Sequence, residues 1–191
     1  NTDARKSFVS FEPLGTIGSI MPWNFPYWQA MRFAAPALLA GNTIVMKPSS
    51  VTPQCGTELE KAFVAVGFPE GVFQVAIGNY TTANHLIDGN INAVTFTGST
   101  NAGAQVAQRA TSNLKKCLLE LGGSDPFIVC SDADIEKASE GAVKGRFLNC
   151  GQSCIASKRF IVIKKVANEF IEKFVSNASK LKVGDPQNQD T

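Results

Sequence analysis

The chain has 191 residues, with 18 Lys and Arg against 16 Asp and Glu, a formal net charge of +2. So even a balance offers no electrostatic grip for nucleic acid or an anionic membrane, and neither partner is expected. A 44% hydrophobic and 18% charged composition excludes a disordered chain and suits one domain, or one domain and part of another. The longest apolar candidate, residues 31–39, is broken by Arg32 and Pro36 and falls far short of the ~20 residues a bilayer span needs. No basic-then-apolar leader opens the chain, so a cytoplasmic location is expected. The five cysteines are odd in number and sit mostly in apolar runs, which predicts buried thiols in a reducing compartment. With a single histidine, His85, a zinc site needing two is excluded, and no metal is expected.

The predicted elements alternate in period. Residues 16–21 read as a buried strand that ends at Pro22. Residues 27–40 read as a helix, bent at Pro36 and stopped by Gly41. The β-branched run 43–46 is a strand. Thr52 followed by Pro53 predicts an N-cap and first helical residue, and the helix buries Leu59, Phe63 and Val66 before Gly67 ends it. A strand at 72–77, a helix at 81–87 and a strand at 93–97 follow. Ser99 then caps a helix running to Ala110, and 116–121 is a strand. Beyond Gly123 come a strand at 126–130 and a helix at 134–148 with Ser131 and Asp132 as cap candidates. A strand at 159–163 and an amphipathic helix at 166–181 complete the series. Strands alternating with helices predict a parallel sheet with helices on its faces, and ligands then bind beyond the carboxyl ends of the strands. Those ends carry Pro22-Trp23-Asn24, Lys47 to Ser50, Gly78-Asn79, Gly98-Ser99-Thr100 and Glu120 to Gly123.

Three local patterns carry chemistry. Gly98 and Gly103 have P-loop spacing, but Ala104-Gln105 stand where Lys and Ser or Thr are required, and no G-x-G-x-x-G occurs. What remains is a capped helix N-terminus after a strand, which suits an anion as well as an ordinary turn. Cys154, between a glycine-containing turn and a strand, is a candidate nucleophile; a structural thiol is the alternative. Glu120 lies in the apolar run Leu118 to Gly123, where burial would tune a carboxylate as a general base; the alternative is a salt-bridged strand-end glutamate.

Taken together, the residues resemble the aldehyde dehydrogenase superfamily, with the succinate-semialdehyde dehydrogenase branch the nearest likeness. The matching stretches are Glu12 to Gly15, Pro22 to Pro26, Pro36 to Asn42, Lys47-Pro48, Phe68 to Val72, Phe96 to Ser99, Glu120 to Gly123 and Gly151 to Cys154, in the family's order. The resemblance implies an α/β fold: a parallel doubly wound Rossmann-like sheet followed by the start of a second α/β catalytic domain. It implies an oligomerisation arm ending over residues 1–11, an NAD(P)-binding domain at 12–122 and part of the catalytic domain at 123–191. It also implies a homodimer or homotetramer.

By position, Cys154 would be the nucleophile, Asn24 an oxyanion donor and Glu120 the base that activates water. Lys47 would bond the cofactor ribose; Met21, Pro22 and Trp23 would border its cleft; Gly78, Gly98, Ser99 and Leu121 would complete that site. In NAD-selective relatives a glutamate stands three residues after this lysine. Here that position is Ser50, beside Ser49, so NADP is expected to be preferred and NAD accepted. Arg32, eight residues beyond Asn24, would hold a substrate carboxylate, its alternative being a helix-surface ion pair. Cys150 suggests a reversible disulfide with Cys154, or a bystander thiol. The expected activity is oxidation of an aldehyde, succinate semialdehyde, to its acid. The alternatives are a non-catalytic nucleotide-binding module and a CoA-acylating relative. The family needs roughly two to three times this length, so the chain reads as an internal piece that does not turn over alone.

Overall fold

The computed structural model describes residues 3–189 and 191. They form two compact units, Asn1–Leu121 and Gly122–Thr191. In the first, short apolar and β-branched runs become strands: β1 (Thr16–Ile20), β2 (Thr43–Lys47), β3 (Phe73–Val75), β4 (Ala93–Thr97) and β5 (Lys116–Glu120). Between them lie α1 (Pro26–Leu39), α2 (Pro53–Ala65), α3 (Tyr80–Asp88) and α4 (Thr100–Ser112). Parallel strands need crossovers, and each helix supplies one. The sheet order is β3-β2-β1-β4-β5, all parallel.

Each face of this sheet has its own core. Ile17 and Met21 pack with Ile44 and Met46 against Ala30, Ala34 and Ala37 of α1 and Leu59 and Phe63 of α2. Ile20, Val94 and Phe96 pack against Ala83 and Ile87 of α3 and Val106 and Ala110 of α4. Alternate residues of a strand point to opposite faces, so one strand feeds both cores. The three alanines fall on one helical stripe and bring α1 close to the sheet. Because β4 returns beside β1 rather than beside β3, the strand order reverses between β1 and β4. A crevice forms at the carboxyl ends of such a reversal. Register aligns those ends: Ile20 lies opposite both Lys47 and Phe96, and Thr97 opposite Glu120.

The second unit holds β6 (Asp125–Val129), α5 (Ile135–Phe147), β7 (Ser157–Val162) and α6 (Ala167–Ala178), with β6 and β7 parallel. Val129, Ile135, Ala142 and Phe170 form its core. The Phe160 ring lies 5.7 Å from Phe127 and 5.2 Å from Phe174.

Several expectations differ from what forms. Val66 caps the end of α2 and is 74% exposed, because Gly67 turns the chain away and the helical stripe stops at Phe63. Thr52 is the N-cap residue of α2, but its hydroxyl makes no capping bond and lies buried without a partner. Asp134, not Ser131 or Asp132, caps α5 by accepting the Lys137 N–H at 3.2 Å. The cysteines are less buried than expected: Cys55, Cys117 and Cys154 are partly buried, Cys117 packing against the second core, and Cys130 and Cys150 are exposed. Cys55 lies in the first turn of α2, Cys117 on edge strand β5, and the other three in the segments that leave β6 and precede β7. Residues 3–11 carry no helix or strand and are exposed. Among the described residues no helix is long and apolar enough to cross a membrane, and no three or more metal-ligating side chains cluster.

Candidate active site

The carboxyl edge of the first unit gathers most of the polar residues singled out above. The Met21 N–H donates to the Lys47 carbonyl at 3.1 Å, which ties the end of β1 to the end of β2. Pro22 and Asn24 are partly buried in the loop before α1, and Trp23 is exposed. Lys47 is only 8% exposed, and among the described residues its side chain makes no hydrogen bond or ion pair. Burial pushes its ammonium below the usual lysine range. The Ser49 hydroxyl accepts the Val51 N–H at 3.2 Å, while Ser50 is exposed. Gly78 follows β3 at the sheet's far side, where Asn79 caps α3.

After β4 the Gly98 N–H donates to the Glu120 carbonyl at 3.0 Å. Ser99 caps α4, accepting the Ala102 N–H at 3.3 Å, so the remaining N–H groups of that first turn face the crevice edge. Gly103 answers to packing rather than to phosphate: a Cβ there would lie 2.4 Å from the Leu121 side chain.

A cleft of about 430 Å³ opens beside α1, over β4 and β5. Gln29, Arg32 and Phe33 line it from the helix, and Thr95, Thr97 and Glu120 from the strands. Here Arg32 Nη2 lies 3.2 Å from Glu120 Oε1, with side chains 45% and 48% exposed. Glu120 is therefore not the buried carboxylate its apolar run suggests. It ends edge strand β5 with alternating exposure, and the ion pair takes the place of burial. The surface ion pair weighed for Arg32 does form, and its partner is the candidate base. Gln29 escaped the sequence reading. It is 5% exposed with Oε1 unpartnered, and the available signal was a polar residue on the alanine stripe of α1.

Cys154 belongs to the second unit and is described there by itself. It sits in the turn before β7, partly buried. The Lys158 ammonium donates to the Cys154 carbonyl at 3.1 Å and to the Gly123 carbonyl at 2.6 Å, fixing the turn. Nothing local in the sequence marks Lys158 for this. Upstream, Gly151 has φ +73°, and a Cβ on it would come within 3.0 Å of the Arg146 carbonyl. Asn149 and Cys150 also adopt left-handed backbone, so the segment before the thiol is sharply turned.

A parallel sheet with a helix N-terminus and an unpartnered lysine at its carboxyl edge defines a nucleotide-type α/β unit; the second unit presents a thiol on a constrained turn. The chain belongs to the aldehyde dehydrogenase family, whose model matches residues 1–191. It is 52% identical over 97% of its length to a probable NADP(+) succinate-semialdehyde dehydrogenase of Synechocystis, covering 41% of that protein. It is 46% identical over 97% of its length to the NAD(P)+ succinate semialdehyde dehydrogenase of Escherichia coli, covering 40% of that protein. Among solved structures, succinate-semialdehyde dehydrogenase from Burkholderia pseudomallei matches with a TM-score of 0.89 and 39% identity, over 93% of this chain and 37% of that one. The chain thus spans about two-fifths of the length of the curated relatives it matches.

Proposed function

We propose that this chain carries the cofactor edge and the reactive thiol of an enzyme that oxidises succinate semialdehyde to succinate, preferring NADP and accepting NAD. The observation that carries the reading is Lys47, a largely buried residue at the carboxyl edge of a parallel sheet whose ammonium has no acceptor among the described residues. Ribose hydroxyls would supply the acceptors it lacks, and the α4 N-terminus suits a pyrophosphate. The donor set therefore fits a nicotinamide dinucleotide. Met21, Pro22, Trp23, Gly78, Gly98 and Leu121 would wall its site, and Ser49 and Ser50 would face a 2′-phosphate. The names of the Synechocystis and Escherichia coli relatives support both substrate and cofactor.

In this reading the Cys154 thiolate adds to the aldehyde carbon. The Asn24 amide and the Cys154 N–H hold the resulting oxyanion. A bound nicotinamide would supply the acceptor for the hydride that leaves the adduct's carbon, and Cys154 would then carry a thioester. Glu120 takes a proton from the water that hydrolyses the thioester, releasing the acid and the thiolate. Arg32 holds the distal carboxylate of the substrate. Residues 5–11, with Phe8, Val9 and Phe11 exposed, are assigned to an arm for self-association in a cytoplasmic homodimer or homotetramer.

The test is a single turnover with succinate semialdehyde and NADP in the complete enzyme that carries these residues, followed by reduced-nicotinamide absorbance. Wild type should give a burst and Cys154→Ser none; a burst of normal size from Cys154→Ser refutes the assignment. Arg32→Ala should lose far more kcat/KM on succinate semialdehyde than on butanal, and equal losses remove Arg32 from substrate binding.

A further inference from the structure

Arg32 and Glu120 were assigned to different partners, a substrate carboxylate and a water molecule, yet the structure pairs them with each other. We propose that Arg32 is also a positioning residue for Glu120: it holds the base engaged until a substrate carboxylate takes its place. This rests on the functional reading above and adds to it a coupling between substrate recognition and thioester hydrolysis.

The geometry makes the exchange easy. The contact joins one guanidinium nitrogen to one carboxylate oxygen, 3.2 Å apart. The guanidinium carries five N–H donors in a planar fork, so the others stay open to a second carboxylate. Both side chains are about half exposed, so the pair forms and breaks against water and holds weakly. Both line the same cleft, together with Thr95, Thr97 and Gln29. A carboxylate oxygen held by Arg32 is withdrawn from accepting the proton of water. No covalent bond is exchanged: one carboxylate leaves the guanidinium's ion pair as another arrives. An acid aldehyde therefore frees its own base, and an uncharged aldehyde leaves Glu120 tied.

An exposed pair of this kind limits the effect to about fivefold, equivalent to about 1 kcal/mol at RT of about 0.59 kcal/mol. Decay of the acyl-enzyme is followed directly by rapid quench and intact-mass spectrometry in the complete enzyme. The butanoyl-enzyme, made from butanal, should decay about two- to fivefold faster in Arg32→Ala and Arg32→Gln than in wild type. Arg32→Lys, which keeps a charge at this position, should return the decay toward wild type. Acetate added to wild type should speed butanoyl decay, and should do nothing in Arg32→Ala. Unchanged or slower butanoyl decay in both variants, or no acetate effect on wild type, overturns the proposal. Weakened capture of succinate semialdehyde with unchanged butanoyl decay defeats this inference and leaves the substrate reading standing. Faster butanoyl decay with equal losses of capture for both aldehydes supports the positioning role and defeats the substrate reading.

Discussion

Replacing Lys47 by Met separates what this residue does for the fold from what it does for a ligand. Met keeps most of the apolar stem packed between the ends of β1 and β2 and removes the ammonium. Lys47 as a residue is 8% exposed, its ammonium has no acceptor among the described residues, and burial depresses its pKa. Removing a poorly solvated polar group is worth about 1 kcal/mol here, at the low end of the ~1–3 kcal/mol range, because an end-of-strand lysine still reaches some water. For a chain of this size that is a rise of about 2–4 °C in Tm.

The pH dependence has a definite sign. Lys47 has a folded pKa below its unfolded one, so the unfolded chain binds more protons in the window between the two values. Wild-type stability therefore rises with pH through that window, and the advantage of Lys47→Met shrinks there. NADP affinity should fall at least tenfold, since charge-assisted hydrogen bonds are worth ~1.5–3 kcal/mol. Urea unfolding at several pH values, with calorimetric titration of NADP on the same samples, reads both effects. A variant less stable than wild type at neutral pH, or one that binds NADP as tightly, would refute the reasoning.

Ser50→Glu places a carboxylate where the reading puts the 2′-phosphate. It should shift the ratio of NADP to NAD dissociation constants by at least tenfold toward NAD, and an unchanged ratio would remove Ser50 from the cofactor site. Two carboxyls are held below their usual range, Asp88 by the Arg109 guanidinium and Asp134 by the Lys137 backbone N–H. Their contribution to stability is present above the unfolded carboxylate value near ~3.9 and is lost as pH falls through the lower folded values. Asp88→Asn should therefore flatten the acid limb of the unfolding profile seen by circular dichroism, and superimposable profiles would count against that pair.

The element series was legible in the residues because period and punctuation agreed. The run at Ala93–Thr97 is β-branched and aromatic between turn residues, and the strand has those bounds. Ser99 caps α4 as its place after a strand suggests. The cap of α5 was missed because Ser131, Asp132 and Asp134 are all cap-forming types. Which of them meets a free N–H depends on where the backbone leaves β6. The cysteines lie shallower than expected because Cys130, Cys150 and Cys154 fall in the segments after β6 and before β7, while Cys117 sits on edge strand β5, which has a strand neighbour on one side only.

By itself the sequence determined the alternation of strands and helices and the family, and it singled out the thiol, carboxylate, amide and lysine to which we assign the chemistry. The alternation follows from local spacing and side-chain type, and the family and the residue assignments from the resemblance of ordered motifs. Tertiary structure alone decided that β4 lies beside β1, that Lys47 is buried without an acceptor and that Gln29 turns an unsatisfied oxygen inward. It also decided that Arg32 and Glu120 meet. A side chain's partners are set by which strands are neighbours and by the face each helix covers, and residues distant in the chain share a cleft only once both choices are made.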